Sequence, residues 1–363
     1  LTLEAQAVLR KYHPRIVAVT GTVGKTTTKD AIAAALSAFF SVRKSEKSFN
    51  SEIGVPLTIL GARNPWHNPF RWFSVLLKGL FLSVLSIKDK GLKIKDCRYP
   101  HWLVLEVGAD KPGDISSLAA WLCPDVSVIT RFAEVPVHIE SFPSVASLLE
   151  EKATLIHSAK EKGLVVLGSD DEEVAALQSA ARGRQVVYFG TTDIAEVCGS
   201  HYAVRYGESG FPEGIVFRAQ VGGTSLPLSV SGALGMHQMQ PLLAACAVCV
   251  GLGLNLVRAA EQLSSFEPPR GRMRLLHGVN GSLIIDDSYN SSPVALREAL
   301  AALASLEVRG RKIAVLGDML ELGEYSDEEH KKSGALAASS CDILCTVGAF
   351  AKGFAVGARE AGM

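Results

Sequence analysis

Apolar residues along this chain fall into two alternating rhythms. Short runs rich in β-branched and apolar residues occur at 15–19, 102–106, 126–130, 164–167 and 186–189. Runs of this length, bounded by glycine or polar residues, read as buried strands. Between them lie Ala- and Leu-rich stretches with helical composition, notably 25–40 and 145–159. The alternation predicts an α/β fold with a mainly parallel sheet and helices on both faces, in which ligands bind at the carboxyl ends of the strands.

From 200 to 230 the rhythm changes. Tyr202, Val204, Tyr206, Ile215, Phe217 and Leu226 are spaced by glycine and polar residues, which predicts antiparallel strands finishing a first domain. A helix over 238–251 follows, and Glu267-Pro268-Pro269-Arg270-Gly271 reads as a linker. Strands at 283–285, 313–316 and 343–347, separated by helical patterns at 293–306 and 326–340, form a second α/β unit. The expected division is therefore 1–266 and 267–363, the second unit stopping early for a complete doubly wound domain. Cys246 and Cys249 have a metal-like spacing, but they sit in an Ala/Val/Leu helix without a second pair, so they read as core.

The run 70–87 stands apart, being mostly Phe, Leu and Val broken by Lys78. It is shorter than the about 20 apolar residues a membrane span needs. Two readings stay open: an interfacial helix with Trp72 and Lys78 at the headgroup level, giving peripheral membrane contact, or an insertion that packs on its own domain or a partner.

Composition narrows the picture. With 363 residues, 48 % hydrophobic and 20 % charged, the chain can build two or three cores. Lys plus Arg equals Asp plus Glu at 37 each, so nothing in the net charge points to nucleic acid or another polyanion. Seven scattered cysteines, an odd number, fit reduced thiols in a cytoplasm. No signal peptide is visible, and the first residue is Leu1, so a fragment or processed product is expected.

The chemistry centres on Gly21-Thr22-Val23-Gly24-Lys25-Thr26-Thr27, placed between a strand and a helix. Glycines there let the backbone approach phosphate oxygens, and the helix start favours negative charge. Lys25 would pair with β/γ-phosphates and Thr26 would offer its hydroxyl to Mg²⁺, although the loop is shorter than G-x-x-x-x-G-K-[ST] because Val19 stands five before Gly24. Glu106 ends a strand and could hold Mg²⁺. His138, Lys152, Arg272 and the strand end Asp286-Asp287-Ser288-Tyr289-Asn290 are further candidates, the arginine closing over a bound nucleotide.

Together these stretches resemble the Mur ligases, ATP-dependent amide-forming enzymes of peptidoglycan synthesis. The resemblance is carried by Thr20 to Asp30, Ile53-Gly54-Val55-Pro56-Leu57-Thr58, Leu105 to Ile115, Gly271-Arg272-Met273, Asp286 to Asn290, and Leu316-Gly317-Asp318-Met319-Leu320-Glu321-Leu322-Gly323-Glu324. The last is rather specific to the branch that adds D-Ala-D-Ala to a UDP-MurNAc-peptide. The resemblance implies a phosphate-loop central domain with a smaller Rossmann-like C-terminal domain. A monomer in the cytoplasm is expected, and the resemblance implies a reaction in which ATP phosphorylates the peptide carboxylate before the dipeptide amine attacks. Carried over by position, Lys25 and Arg272 face the phosphates, and Thr26, Glu106, His138 and a carbamylated Lys152 support Mg²⁺. Gln238, Asp287 and Asn290 line the nucleotide pocket and Asn50 meets the acceptor. Departures are Gly235-Met236-His237-Gln238-Met239-Gln240-Pro241 and Asn290-Ser291-Ser292-Pro293, which lose asparagines usual in the family, and the segment 62–100, which replaces a short connection. The UDP-binding domain and the last part of the C-terminal domain are expected to be missing. The competing readings are another amino-acid-adding or folylpolyglutamate-type ligase, and a non-catalytic nucleotide-binding scaffold.

Overall fold

The computed structural model describes residues 1–46, 48–84 and 99–363. Among them, nine strands form one sheet in the order β2-β3-β1-β4-β5-β6-β7-β8-β9. These are β1 (Arg15–Thr20), β2 (Val42–Lys44), β3 (Trp102–Glu106), β4 (Val126–Ile129), β5 (Leu164–Gly168), β6 (Gln185–Gly190), β7 (Val197–Tyr206), β8 (Pro212–Val221) and β9 (Thr224–Ser231). Pairing is parallel from β2 to β7, and β7, β8 and β9 pair antiparallel. The parallel sheet and the antiparallel finish expected at 200–230 are both present.

The central strands read as unbroken apolar runs because both of their faces are covered. Along β1, Val17 and Val19 point to one face with Ile32, Leu36, Val104 and Leu243. That face is covered by helices α2 (Lys25–Ser37), α8 (Met239–Gly251) and α9 (Leu256–Leu263). Ile16 and Ala18 point to the other, with Leu103, Leu105, Ile115 and Leu155. It is covered by α1 (Thr2–Tyr12), α3 (Gly54–Leu60), α5 (Asp114–Leu122) and α6 (Val145–His157). Helices α4 (Pro69–Val84) and α7 (Glu172–Ala176) complete this half. Cys246 and Cys249 lie wholly buried in α8, where burial pushes both thiols up to about 12.

The chain leaves β1 for β2 and β3 on one side and returns to β4 on the other. The loop after β1 therefore lies at a topological switch point, the place where open α/β sheets bind ligands.

The remainder carries a hairpin, β10 (Arg274–His277) with β11 (Leu283–Asp286), and a parallel pair, β12 (Ile313–Gly317) with β13 (Ile343–Val347). Helices α10 (Pro293–Ser305), α11 (Ser326–Ser340) and α12 (Lys352–Glu360) surround a core of Leu300, Leu316, Met319, Ala337 and Phe354. Strand β10 escaped the sequence reading because it is four residues long and largely exposed. It is held by the first half, where Leu275 N–H donates to Gly232 O at 2.8 Å.

Of the apolar run 70–87, residues 85–87 lie outside the described residues, as does most of the second half of segment 62–100. Helix α4 packs on α1 and α3 through Val75 and Gly79. Among the described residues no helix is long and apolar enough to cross a membrane.

Candidate active site

At the end of β1 the chain turns through Gly21 (φ 143°) and Gly24 (φ 83°) into α2. Gly21 is required by space as well as by φ: a Cβ there would stand 2.0 Å from Thr130 Oγ1. The loop is pinned to the segment after β4, with Thr22 N–H donating to Arg131 O at 2.7 Å and the Thr130 hydroxyl donating to Val23 O at 2.7 Å. No side chain caps α2. Its first-turn N–H groups therefore stay available to an anion.

Lys25 folds over this loop, its Nζ donating to Gly21 O at 3.0 Å and Thr22 O at 3.1 Å. Burial lowers its pKa, Glu106 opposes that shift, and the Arg272 cation adds to it. Glu106 is 1 % exposed at the end of β3. One of its oxygens, Oε1, is 3.4 Å from Asn50 Nδ2, and the other, Oε2, is buried without a hydrogen-bond partner. An ionised carboxylate oxygen cannot stay buried and unpaired cheaply, so this atom marks where a cation fits. Thr26 Oγ1 lies 3.3 Å from Ser48 Oγ in the same wall.

The facing wall comes from the later part of the chain, and His138, after β4, meets it from the sheet side. His138 (φ 69°) and Glu321 (φ 63°) both adopt the left-handed conformation that non-glycine residues avoid. They meet with His138 Nδ1 2.7 Å from Glu321 Oε2, while His138 Nε2 is 3.7 Å from Asp110 Oδ1. Arg272 stacks over Tyr289, 4.4 Å from the ring centroid, and Tyr289 Oη is 2.8 Å from Ser48 Oγ. Glu298 of α10 bridges to Arg131 and to His237, whose Nδ1 is 3.5 Å away.

Between these walls lies a cavity of about 210 Å³. Of the residues singled out in sequence, Thr22, Val23, Gly24, Lys25, Thr26, Asn50, Glu106, His138, Arg272 and Asn290 line it. Gly21 and Thr27 support it from within the loop and α2. Lys152 lies behind the wall at 3 % exposure, and burial with the nearby Lys25 charge pushes its amine down to about 7. Among the described residues no salt bridge pairs with it. Gln238 is buried against Arg272 O, with its Nε2 donating at 3.3 Å and its Oε1 unpartnered. Asp287 also lies outside the lining. Its Oδ1 accepts from Met273 N–H at 3.1 Å, and burial raises its pKa to about 6.

Ser48, Asp110, Tyr289 and Ser292 line the cavity, and Glu321 holds His138, yet none of these was singled out. Asp110, Tyr289, Ser292 and Glu321 lie inside the stretches that carry the resemblance or depart from it. Without the fold, nothing told which residue of each stretch faces the cavity. Among the described residues no three His, Cys, Asp or Glu side chains form a closed metal cage. A larger surface concavity of about 390 Å³, between His201, Arg205 and Leu228, lacks a carboxylate. The reactive groups gather at the loop instead.

A phosphate loop at the switch point of a parallel sheet, faced by an arginine and polar residues from a following α/β segment, defines a nucleotide-dependent enzyme of two facing parts. A sequence profile of the Mur ligase middle domain matches residues 19–69 and 92–249, and one of the Mur ligase, glutamate ligase domain matches 271–360. The chain belongs to the Mur ligase family, a family of ATP-dependent ligases.

The UDP-N-acetylmuramoyl-tripeptide--D-alanyl-D-alanine ligase of Bacillus subtilis (strain 168) is 30 % identical over 366 residues, covering 98 % of this chain and 67 % of the relative. The protein of the same name from Mycobacterium leprae is 28 % identical, covering 89 % of this chain and 59 % of its own length. The chain thus spans about three-fifths to two-thirds of these curated relatives. Among solved structures, MurF ligase from Thermotoga maritima in complex with ADP superimposes with a TM-score of 0.77 at 27 % identity, covering 97 % of this chain and 72 % of the other. MurF from Acinetobacter baumannii shares the fold, with a TM-score of 0.78 at 24 % identity, covering 98 % of this chain and 68 % of the other.

Proposed function

We propose that the chain carries the catalytic part of an ATP-dependent ligase that joins D-Ala-D-Ala to UDP-MurNAc-tripeptide in the cytoplasm, acting as a monomer, with units 1–266 and 267–363. The observation that carries this is the convergence of Lys25, Thr26, Glu106, His138 and Arg272 on one cavity, with a buried Glu106 oxygen left unpaired. The names of the relatives supply the substrates.

In this reading the peptide carboxylate attacks the γ-phosphorus of ATP, ADP leaves, and the dipeptide amine then displaces phosphate from the acyl phosphate. Lys25, the loop N–H groups and Arg272 take up the charge on the transferring phosphoryl group. Thr26, Glu106, His138 and a carbamylated Lys152 would hold Mg²⁺, which neutralises phosphate charge when bound. Carbamylation requires a neutral amine, and an amine pushed down to about 7 supplies one near neutrality. Asn50 would meet the acceptor. Gln238, Asp287 and Asn290 would form the nucleoside end, the first two acting from behind the wall.

The test is phosphate release from ATP by the purified chain with UDP-MurNAc-tripeptide, with and without D-Ala-D-Ala, beside a Lys25→Ala control. Release that needs both substrates and vanishes in the control is expected. ATP binding without release under any substrate pair would replace the ligase by a nucleotide-binding scaffold, and release with a single amino acid would move the chain to another branch.

A further inference from the structure

Helix α4 falls largely in the stretch 70–91 that the family profile leaves unmatched, so its surface is not dictated by the shared fold. It has two faces. Trp72, Val75, Gly79 and Leu82 turn toward α1 and α3, where a Cβ on Gly79 would stand 2.4 Å from Glu4 Oε2 and Lys11 Nζ donates to Leu82 O at 2.7 Å. Phe70, Phe73, Leu77, Leu80, Phe81 and Val84 recur at helical spacing on the opposite face, all in solvent, with Phe70 at 84 % exposure and Val84 at 68 %. An apolar stripe of this kind costs solubility and marks a docking surface.

Charge and shape select its occupant. The sequence from 53 to 84 contains no Asp or Glu, and Arg71 stands exposed on the helix. Arg63, in the loop before it, is exposed and paired with Glu46 at 3.6 Å. Lys78 donates to Gly61 O from the helix flank. The stripe is about 24 Å long and one helix face wide. A short amphipathic helix with aromatic residues, cationic edges and no carboxylate suits the headgroup boundary of an anionic bilayer, lying in its plane. We infer that the outer face of α4 docks this chain onto an anionic lipid surface. This placement is independent of the reaction assigned above, since the stripe lies outside the cavity.

Flotation of the purified chain with vesicles tests it, using phosphatidylcholine alone and phosphatidylcholine mixed with phosphatidylglycerol. The chain is expected to float with the anionic vesicles at low salt, and Phe73→Glu/Phe81→Glu to lower the vesicle-bound partition about tenfold or more. Arg71→Glu, which leaves the apolar stripe and the Arg63–Glu46 pair intact, weakens the preference for the anionic vesicles. Circular dichroism and ATP binding check that both variants fold. Absence of flotation, flotation unchanged by both variants, or equal binding to neutral vesicles overturns the inference. A concentration-dependent dimer abolished by Phe73→Glu/Phe81→Glu, without flotation, overturns it in favour of a second copy covering the stripe.

Discussion

The two walls of the cavity are built in different ways. The sheet wall consists of Lys25, Thr26 and Glu106 at the ends of β1 and β3, strands buried on both faces. Its positions are therefore set by a core that tolerates little movement. The opposite wall, Arg272, Tyr289 and Glu321, is joined to it by polar contacts at partly exposed side chains: Tyr289 with Ser48, Glu321 with His138, and Glu298 with Arg131. Such contacts contribute little each and exchange readily with water. One wall is thus held by a packed core and the other by contacts that break at little cost.

Substitutions sharpen this contrast, beginning with the largest effect. Glu106→Gln should lower kcat/KM of the proposed ligase about 10²-fold or more, because it removes the carboxylate charge where no other group can move in. Glu321→Ala, which frees His138 from the far wall, should cost about tenfold. Steady-state kinetics with both substrates would measure the two. Equal losses would mean that the walls are equally rigid.

A smaller effect is expected at Lys152. Its folded-state pKa, pushed down to about 7 by burial, lies below the 10.5 of an ordinary lysine. Between those values the unfolded chain binds more protons than the folded one, so stability rises with pH across that window. In carbon dioxide-free buffer, urea midpoints of the wild type should climb from pH 7 to pH 9 relative to those of Lys152→Met. Parallel slopes for the two would show that the amine is not desolvated.

The smallest effect belongs to Tyr289→Phe, which deletes one bond between the walls, to Ser48, and leaves the stacked ring under Arg272. It should change stability by about 0.5–1.5 kcal/mol at most and raise KM more than it lowers kcat. A collapse of kcat would mean that the wall does not move.

The strand and helix alternation was readable because each element is locally consistent. Residues 102–105 are apolar throughout as a doubly covered strand must be, and the helix over 145–157 begins at Ser144 with a capping box. The phosphate loop was readable for the same reason, since Gly21 and Gly24 take backbone conformations that other residues enter only with strain. The helix over 54–60 escapes a sequence reading because a seven-residue run, apolar but for Thr58, carries no period that separates a helix from a strand. The His138 and Glu321 pairing was hidden because it joins residues 183 positions apart in two left-handed turns, and no local pattern encodes such a meeting.

By itself, then, the sequence determined the parallel α/β core, the glycine-bearing loop that carries Lys25 and Thr26, and the family, each of which rests on stretches of residues near one another along the chain. Only the tertiary structure decided that Glu106 keeps one oxygen unpaired, that Lys152 sits desolvated behind Lys25, that Asp287 turns away to bind Met273 N–H, and which face of α4 stays in solvent. Each of these depends on what distant segments bring to a side chain. Burial, pairing and charge neighbours belong to the folded arrangement and have no local signature.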